Sequence, residues 1–127
     1  MNGTRIAFDT NVAIKLMERQ YDLSLLGINV DEAQFLMSVI VRMELLSKRN
    51  MKNDEEQVIL GFLNGLSVIP LNESIEQKAI EIRRATSLKL PDSIIAATSI
   101  ILDALLLTDD DQLLKLSWPG FRKQSIT

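Results

Sequence analysis

Short apolar runs alternate along this chain with longer segments of helical hydrophobic period. This alternation is typical of parallel strands joined by crossover helices. The predicted strands are Arg5 to Phe8, Gln34 to Met37, Ser67 to Leu71, Ala104 to Thr108 and a weak fifth at Phe121 to Ile126. We therefore predict an α/β fold: a single three-layer domain over residues 1–127, with a central parallel sheet of four to five strands flanked by helices.

Composition fits one domain and excludes several kinds of site. The 127 residues are 46% hydrophobic, which is enough for one core. The chain has no cysteine and no histidine, so disulfides, thiolate metal sites and histidine bases are excluded. A net charge of -3 argues against wholesale coating of nucleic acid, although a local basic patch can still bind phosphate. No apolar run is long enough for a bilayer and no export signal is evident, so we expect a cytoplasmic protein with no membrane partner.

The first helices are predicted from residues that can cap them. Asp9 to Asn11 supply an N-cap for a helix over residues 12–19. Ser38 can cap a second helix that runs to about Arg49. Residues 20–34 have no clear period, so a short helix and a loop are equal alternatives there.

The later helices are predicted from capping boxes and from one proline. Pro91 favours the first turn of a helix, and the following residues 94–102 are apolar on nearly all sides, as in a buried helix. Pro70 makes the third strand an edge strand. Two capping boxes precede the remaining helical segments: Asn53 with Glu56, and Ser74 with Gln77.

Acidic residues stand at the ends of these apolar runs, where solvated surface charges are not expected. Asp9 follows the first strand and Asp109 to Asp111 follow the fourth, and open parallel sheets bind ligands beyond such carboxyl ends. Asp92 can reach the same crevice from the first turn of its helix. Glu44 projects from a helix face that otherwise looks buried. Gathered carboxylates repel unless they share a cation, so the set predicts a site for a hard metal, Mg2+ or Mn2+.

Each acid also has an ordinary structural explanation. Asp9 and the acidic triplet can cap helices, and the helix dipole favours Asp92. Glu44 can pair with Lys48 one turn later. Any single acid is explained this way, but four such acids falling by chance at converging positions of one sheet are much less expected.

Four segments of the chain resemble the signature blocks of the PIN-domain nucleases. They are residues 6–11 (IAFDTN), 37–46 (MSVIVRMELL), 90–98 (LPDSIIAAT) and 107–113 (LTDDDQL). The blocks occur in the family's order and span nearly the whole chain. In size and near absence of insertions, the chain is most similar to the VapC-type toxin ribonucleases of prokaryotic toxin-antitoxin pairs.

The resemblance implies a role for each matching residue. Thr10 and Asn11 would orient the first acid, and Thr108 would hydrogen-bond beside the fourth. The fourth acid is Asp110, two places after the threonine, although Asp109 can substitute in register. The catalytic and metal-binding acids would then be Asp9, Glu44, Asp92 and Asp110, with Mg2+ or Mn2+ as the cofactor.

Three positions depart from the family pattern and make an auxiliary outer ligand doubtful. Val41 stands where members often have threonine, and Gln112 and Leu113 stand where a second acid and an aromatic residue are usual. The four main acids are all present. A PIN-like module that binds RNA or a protein partner without cleavage, which is the alternative, would be expected to lack one or more of them.

The implied activity is that of a metal-dependent endoribonuclease and toxin. The acids alone do not separate RNA from DNA, because metal-assisted hydrolysis does not need the 2′-hydroxyl. Basic residues near the acids are candidate phosphate contacts, although exposed cations often only solvate the surface. These residues are Lys15, Arg19, Arg42, Arg83, Arg84 and Lys89.

The implied partners are an RNA substrate, a small cognate antitoxin whose helix packs in an apolar groove, and a second copy in a homodimer. Core packing is the simpler explanation for the candidate groove residues, which are Leu16, Met17, Leu23, Leu26, Leu60 and Leu63.

Two other families with acids beside a parallel sheet fit less well. A response-regulator receiver needs an aspartate after the third strand, where this chain has Pro70 to Asn72. A haloacid-dehalogenase-type phosphatase needs a second aspartate two residues after the first, where this chain has Asn11.

Overall fold

The computed structural model describes residues 4–127. In chain order its elements are β1 (Arg5–Phe8), α1 (Thr10–Met17), a 3-10 helix (Leu23–Leu26), β2 (Gln34–Ser38), α2 (Val39–Leu46), α3 (Asn53–Asn64), β3 (Ser67–Ile69), α4 (Glu73–Ala85), α5 (Leu90–Ile101), β4 (Leu105–Leu107), α6 (Asp111–Lys115) and β5 (Arg122–Gln124). Among these residues, no helix combines the length and hydrophobicity needed to span a bilayer.

The five strands form one parallel sheet in the order β3-β2-β1-β4-β5, flanked by helices. This confirms the predicted fold class, and β3 lies at the edge as Pro70 indicates. β1 is central: Ile6 lies opposite Phe35 of β2 and opposite Leu105 of β4. The strand order reverses at β1, so the carboxyl ends of β1 and β4 are adjacent. In parallel sheets this switch point opens the crevice in which ligands bind.

Helix α5 is the buried helix that the sequence predicts. Every residue from Ser93 to Ser99 is buried. The hydroxyl groups on this helix do not remain unpaired, since each donates to a carbonyl of the same helix or of its cap. Thr98 Oγ1 donates to the Ile94 carbonyl at 2.7 Å, and Ser93 Oγ donates to the Lys89 carbonyl at 2.9 Å. The helix can therefore pack inside the domain without the cost of unsatisfied polar groups.

Residues 20–34 were predicted as either a short helix or a loop, and the structure contains both. A short 3-10 helix, Leu23–Leu26, lies within a longer connection. Asp22 caps this helix by accepting a hydrogen bond from the Ser24 amide at 2.9 Å. Gly27 ends the helix with a φ of +75°, a conformation that glycine adopts without steric cost.

The capping residue predicted for α3 is wrong by one position. The helix begins at Asn53, and Lys52 stands in the extended conformation before it. The Lys52 amide donates to Glu55 Oε1 at 3.3 Å, so Glu55 takes the place that the sequence pattern assigned to Glu56. α2 also ends earlier than predicted, at Leu46 instead of near Arg49.

The capping box predicted for α4 is also wrong. Asn72 is the N-cap, and its Oδ1 accepts a hydrogen bond from the Ile75 amide at 2.9 Å. Ser74 lies inside the first turn instead. Asparagine and serine offer the same cap chemistry. The sequence pattern alone therefore did not decide whether Asn72 or Ser74 caps the helix.

We expect Asn72→Ala to lower the free energy of unfolding by about 1 kcal/mol, because the Ile75 amide loses its acceptor. The matched change Ser74→Ala should cost less than about 0.5 kcal/mol, since this exposed side chain caps nothing. Urea unfolding of both variants measures the difference. A larger loss for Ser74→Ala would mean that the helix starts where the sequence pattern placed it.

Candidate metal site

Asp9 follows β1 directly and is the N-cap of α1. Its side chain is only 5% exposed, Oδ1 accepts from the Val12 amide at 2.9 Å, and Oδ2 accepts from the Thr108 hydroxyl. Burial raises the pKa of Asp9, the two hydrogen bonds oppose this shift, and the charges of Asp110 and Asp109 add to it. A buried carboxylate under repulsion from other acids favours a positive partner.

Thr108 connects the first acid to the fourth. Its hydroxyl donates to Asp9 and accepts from the Asp110 amide at 3.0 Å. Asp110 in turn caps α6, because its Oδ1 accepts from the amides of Gln112 at 2.8 Å and Leu113 at 3.1 Å. Within residues 4–127, the other carboxylate oxygen of Asp110 has no hydrogen-bond partner. Thr108 therefore holds two acids in place, one more than the family resemblance implies.

Asp92 lies in the first turn of α5 and is partly buried. Burial is the largest cause that raises its pKa. The negative charges of Asp110, Glu44 and Asp9 raise the pKa further, and Lys89 offsets only part of the shift. The charge of each of the other three predicted acids therefore acts on Asp92.

Glu44 is exposed, so the expectation that it projects from a buried face is wrong. The buried stripe of α2 contains Val41 and Leu45, one turn apart, and Glu44 lies beside this stripe. The alternative pairing with Lys48 does not form either, because Lys48 makes an ion pair with Glu55 of α3. Helical spacing placed Glu44 next to the apolar face of α2. It did not decide whether the carboxylate is buried with that face or exposed to solvent.

Thr10 holds Glu44 and not Asp9. Its hydroxyl donates to Glu44 Oε1 at 2.6 Å, which connects the start of α1 to α2. The orienting role that the resemblance implied for Thr10 toward Asp9 is therefore wrong. Asn11 is exposed, and in the described part of the chain its side chain makes no hydrogen bond to Asp9.

Asp109 differs from Asp110 in that the protein binds both of its oxygens. Oδ2 accepts from Lys15 Nζ at 2.8 Å, and Oδ1 accepts from Ser125 Oγ at 2.8 Å and from the Ile126 amide at 3.1 Å. Burial opposes the charge of Asp109, but these hydrogen bonds outweigh it and hold the pKa below its usual value. This geometry favours Asp110 as the acid that is available to a ligand.

The candidate phosphate contacts divide into bound and exposed cations. Lys15 is in the ion pair with Asp109. Arg83 Nη1 donates to the Leu88 carbonyl at 2.8 Å and so supports the turn between α4 and α5. The remaining candidates are exposed: Arg19, Arg42, Arg84 and Lys89.

Two mainly apolar cavities adjoin α1. One of about 390 Å³ lies beside Glu44 and is lined mainly by apolar residues, among them Ile14, Met17 and Leu45. Its charged lining residues are Glu18, Glu44, Glu55 and Lys48, of which the last two form an ion pair. The other, of about 260 Å³, is lined by residues that include Phe8, Leu16, Leu23, Phe35 and Phe62. Leu63 belongs to the core, Leu26 packs against it, and Leu60 is exposed. The candidate groove residues are thus spread over several surfaces.

The donor set suits a divalent cation, although the acids are not preassembled around one. Within residues 4–127, no three acidic side chains lie at the spacing of a formed metal site. Nevertheless, burial and mutual repulsion raise the pKa of both Asp9 and Asp92. Oxygen donors under such repulsion are the ligands that Mg2+ and Mn2+ prefer, so the residues fit this class of ion.

Several solved structures similar to this one are complexes of toxin-antitoxin systems. One chain of VapBC2 from Rickettsia felis, bound to a promoter DNA fragment, matches with a TM-score of 0.81 and 20% identity, over 96% of this chain and 98% of that one. A chain of a toxin-antitoxin complex from Klebsiella pneumoniae matches with a TM-score of 0.70 and 26% identity, over 96% of each chain. A chain of DNA-bound VapBC from Salmonella typhimurium has a TM-score of 0.79 and 18% identity, over 98% of this chain and 99% of that one.

None of the curated proteins matches the sequence significantly. The sequence does match a family model, that of the PIN domain, and the match extends over residues 6–119, which is most of the chain. Together with the parallel sheet and the acids at its switch point, this match shows that the chain belongs to the PIN domain family.

Proposed function

We propose that this protein is a metal-dependent endoribonuclease and the toxin of a toxin-antitoxin pair. The observation that carries the proposal is the charge coupling at the switch point, where Asp110, Glu44 and Asp9 all raise the pKa of Asp92. Three acids from separate elements whose charges all act on Asp92 are unexplained by helix capping alone. Membership of the PIN family and the likeness to toxin-antitoxin complexes support the same function.

The acids would hold Mg2+ or Mn2+, with Asp9, Asp92 and Asp110 on the inner side and Glu44 on the exposed side. When bound, the ion would lower the pKa of a water molecule and neutralise charge on the scissile phosphate. The binding would also relieve the repulsion that the neighbouring acids exert on Asp9 and Asp92, which is one of the causes that raise the pKa of both groups.

The protein's own contribution is to hold the carboxylates of Asp9 and Asp110 in place before substrate binds. The Val12 amide and the Thr108 hydroxyl hold Asp9, and the first turn of α6 holds Asp110. Carboxylates fixed in this way do not have to be ordered again during each turnover. Thr10 keeps Glu44 at the solvent side, where it can orient a water molecule.

Cleavage of end-labelled RNA tests the nuclease proposal. We expect cutting in Mg2+ or Mn2+ and none in chelator, with products that carry a 5′-phosphate and a 3′-hydroxyl. Transfer RNA and other structured RNAs are suitable substrates, and single-stranded DNA of matched sequence tests the preference for RNA. Equal cutting in chelator would exclude the metal-dependent mechanism, and cutting of DNA alone would exclude the ribonuclease.

The proposed protein partner is a small antitoxin. The cavity beside Glu44 is lined by apolar residues and by Glu18 and Glu44, while Lys48 in the same lining pairs with Glu55. Two acids on an apolar surface suit an amphipathic helix that carries a basic side chain. Co-expression of the protein with the product of the neighbouring gene should yield a complex that co-purifies. Failure to find such a complex would remove the toxin part of the proposal and leave the nuclease part standing. Homodimerisation remains a prediction from the family resemblance.

A further inference from the structure

Asp109 has more hydrogen-bond donors around it than any of the four proposed ligands. Lys15 Nζ, Ser125 Oγ and the Ile126 amide lie at 2.8, 2.8 and 3.1 Å, and Thr127 Oγ1 lies at 3.5 Å. These donors come from α1 and from the segment after β5. A carboxylate has about four acceptor sites, and the donors around Asp109 occupy them, whereas Asp9 and Asp110 each accept only two hydrogen bonds. Asp109 is therefore a poorer candidate for a ligand than either of them.

The same carboxylate fixes the ammonium group of Lys15. Lysine has three N–H donors, and in residues 4–127 Asp109 Oδ2 is the only hydrogen-bond partner of this group. The Lys15 side chain is 36% exposed, so the remaining donors can reach an incoming ligand. A free lysine loses much rotamer entropy on binding a phosphate, and a lysine that is already held loses less.

Lys15 is held close to the acids of the proposed metal site. Asp109 lies between Thr108, which donates to Asp9, and Asp110. The charge of Asp109 also acts on Asp9, so the two carboxylates are near each other. In the described part of the chain, none of the other candidate phosphate contacts, Arg19, Arg42, Arg84 and Lys89, makes an ion pair.

We propose that Asp109 is a positioning residue that holds Lys15 beside the acid site, where its ammonium group contacts a phosphate of the bound nucleic acid. This inference rests on the proposed function, since it assigns a substrate contact to that site. It also separates two adjacent aspartates by role: Asp110 belongs to the metal site, and Asp109 acts on substrate binding through Lys15.

The first test measures RNA binding in chelator, so that cleavage does not contribute. Lys15→Met removes the charge at nearly constant size. Lys78→Met is the control, because Lys78 pairs with Glu81 on α4 and its charge is not among those that shift the pKa of Asp9 or Asp92. Each phosphate contact to a single strand contributes about 0.7 to the slope of log K against log salt concentration. We expect Lys15→Met to lower the slope by about 0.7 and Lys78→Met to leave it unchanged. An unchanged slope for Lys15→Met would overturn the phosphate contact, whether or not the protein cleaves RNA.

The second test asks whether Asp109 acts through Lys15. We expect Lys15→Met to reduce kcat/KM by about tenfold in the wild-type background and by no more than about twofold in an Asp109→Asn background. Asparagine can still accept from Ser125 and the Ile126 amide, so this variant should fold. Mn2+ should raise the melting temperature of Asp109→Asn as much as that of the wild type. Loss of that rise would make Asp109 a ligand, and independent effects of the two substitutions would show that Asp109 does not act through Lys15.

If RNA is not cleaved by the wild type, the nuclease proposal fails while the salt slope still decides the role of Lys15. In that case, the positioning role of Asp109 is tested by binding. Ser125→Ala, which removes one donor but keeps the charge of Asp109, should weaken RNA binding less than Lys15→Met does. A stronger effect of Ser125→Ala would contradict the proposal.

Discussion

Asp9→Asn is expected to reduce metal-dependent RNA cleavage by about a thousandfold or more while the protein stays folded. The substitution removes the charge of the buried acid that sits at the centre of the sheet's switch point. Its amide oxygen can still accept from the Val12 amide, so α1 keeps its cap. Its amide nitrogen can donate to the Thr108 hydroxyl, which has an accepting lone pair to spare.

Asp22→Asn is the matched control for this experiment. Asp22 is also an N-cap, but it caps the 3-10 helix and is exposed. Both variants should melt close to the wild-type temperature, and only Asp9→Asn should lose cleavage in Mn2+. Equal cutting by Asp9→Asn and the wild type would refute the assignment of the catalytic site, even if the protein binds RNA.

Mn2+ is expected to raise the melting temperature of the wild type, and Asp92→Asn should abolish most of that rise. A ligand at 100 times its Kd stabilises the folded state by about 2.7 kcal/mol, which corresponds to a shift on the order of 10 °C for a domain of this size. In the absence of metal, Asp92→Asn should itself stabilise the protein. The raised pKa of Asp92 means that burial and the charges of Asp110, Glu44 and Asp9 outweigh Lys89 and disfavour the charged form.

The pH dependence of this stabilisation follows from the direction of the shift. Below the ordinary pKa of 3.8, Asp92 is protonated in both the folded and the unfolded state, so its repulsion is absent. As the pH rises through the raised pKa, the folded state must give up a proton that it binds more tightly than the unfolded state does. The contribution of Asp92 to the free energy of unfolding of the wild type is therefore lost as the pH rises through the raised pKa.

The advantage of Asp92→Asn should accordingly be small near about pH 4 and full near about pH 7. Urea unfolding in chelator at several pH values measures the difference between the two proteins. Asp92→Ser in the same series shows whether removal of the charge, and not the asparagine side chain, is responsible. A difference that does not change with pH, together with a melting temperature indifferent to Mn2+, would mean that the carboxylates do not share a site.

Helix capping and metal binding are compatible roles for the same aspartate. Asp9 and Asp110 each use one oxygen to cap a helix at the carboxyl end of a strand. The backbone amides fix the carboxylate, and in Asp110 the second oxygen has no partner within residues 4–127. The ordinary explanation of these acids is therefore correct and does not compete with the functional one. Asp92 caps no helix through its side chain, and for this acid the repulsion by neighbouring charges is the stronger argument.

Several features of the protein were determined by local sequence alone. The alternation of apolar runs and helical segments predicted the parallel sheet, because strands and helices bury their side chains with different periods. Asp9 and Ser38 were identified as caps, since each directly precedes an apolar helical segment. The starts of α3 and α4 were missed, because neighbouring polar residues offer nearly equal cap chemistry and tertiary packing decides between them.

The contacts between distant segments were decided only by the tertiary structure. Local pattern did not show that Thr10 binds Glu44, that Glu44 is exposed, or that Asp109 and Asp110 have different hydrogen-bond partners. Asp109 has two side-chain partners, Lys15 and Ser125, that lie far from it in the chain. They meet Asp109 only because β1, β4 and β5 are adjacent. Sequence periodicity reports which face of an element is apolar. The neighbour that a polar side chain meets depends on strand order and register, and these are properties of the whole fold.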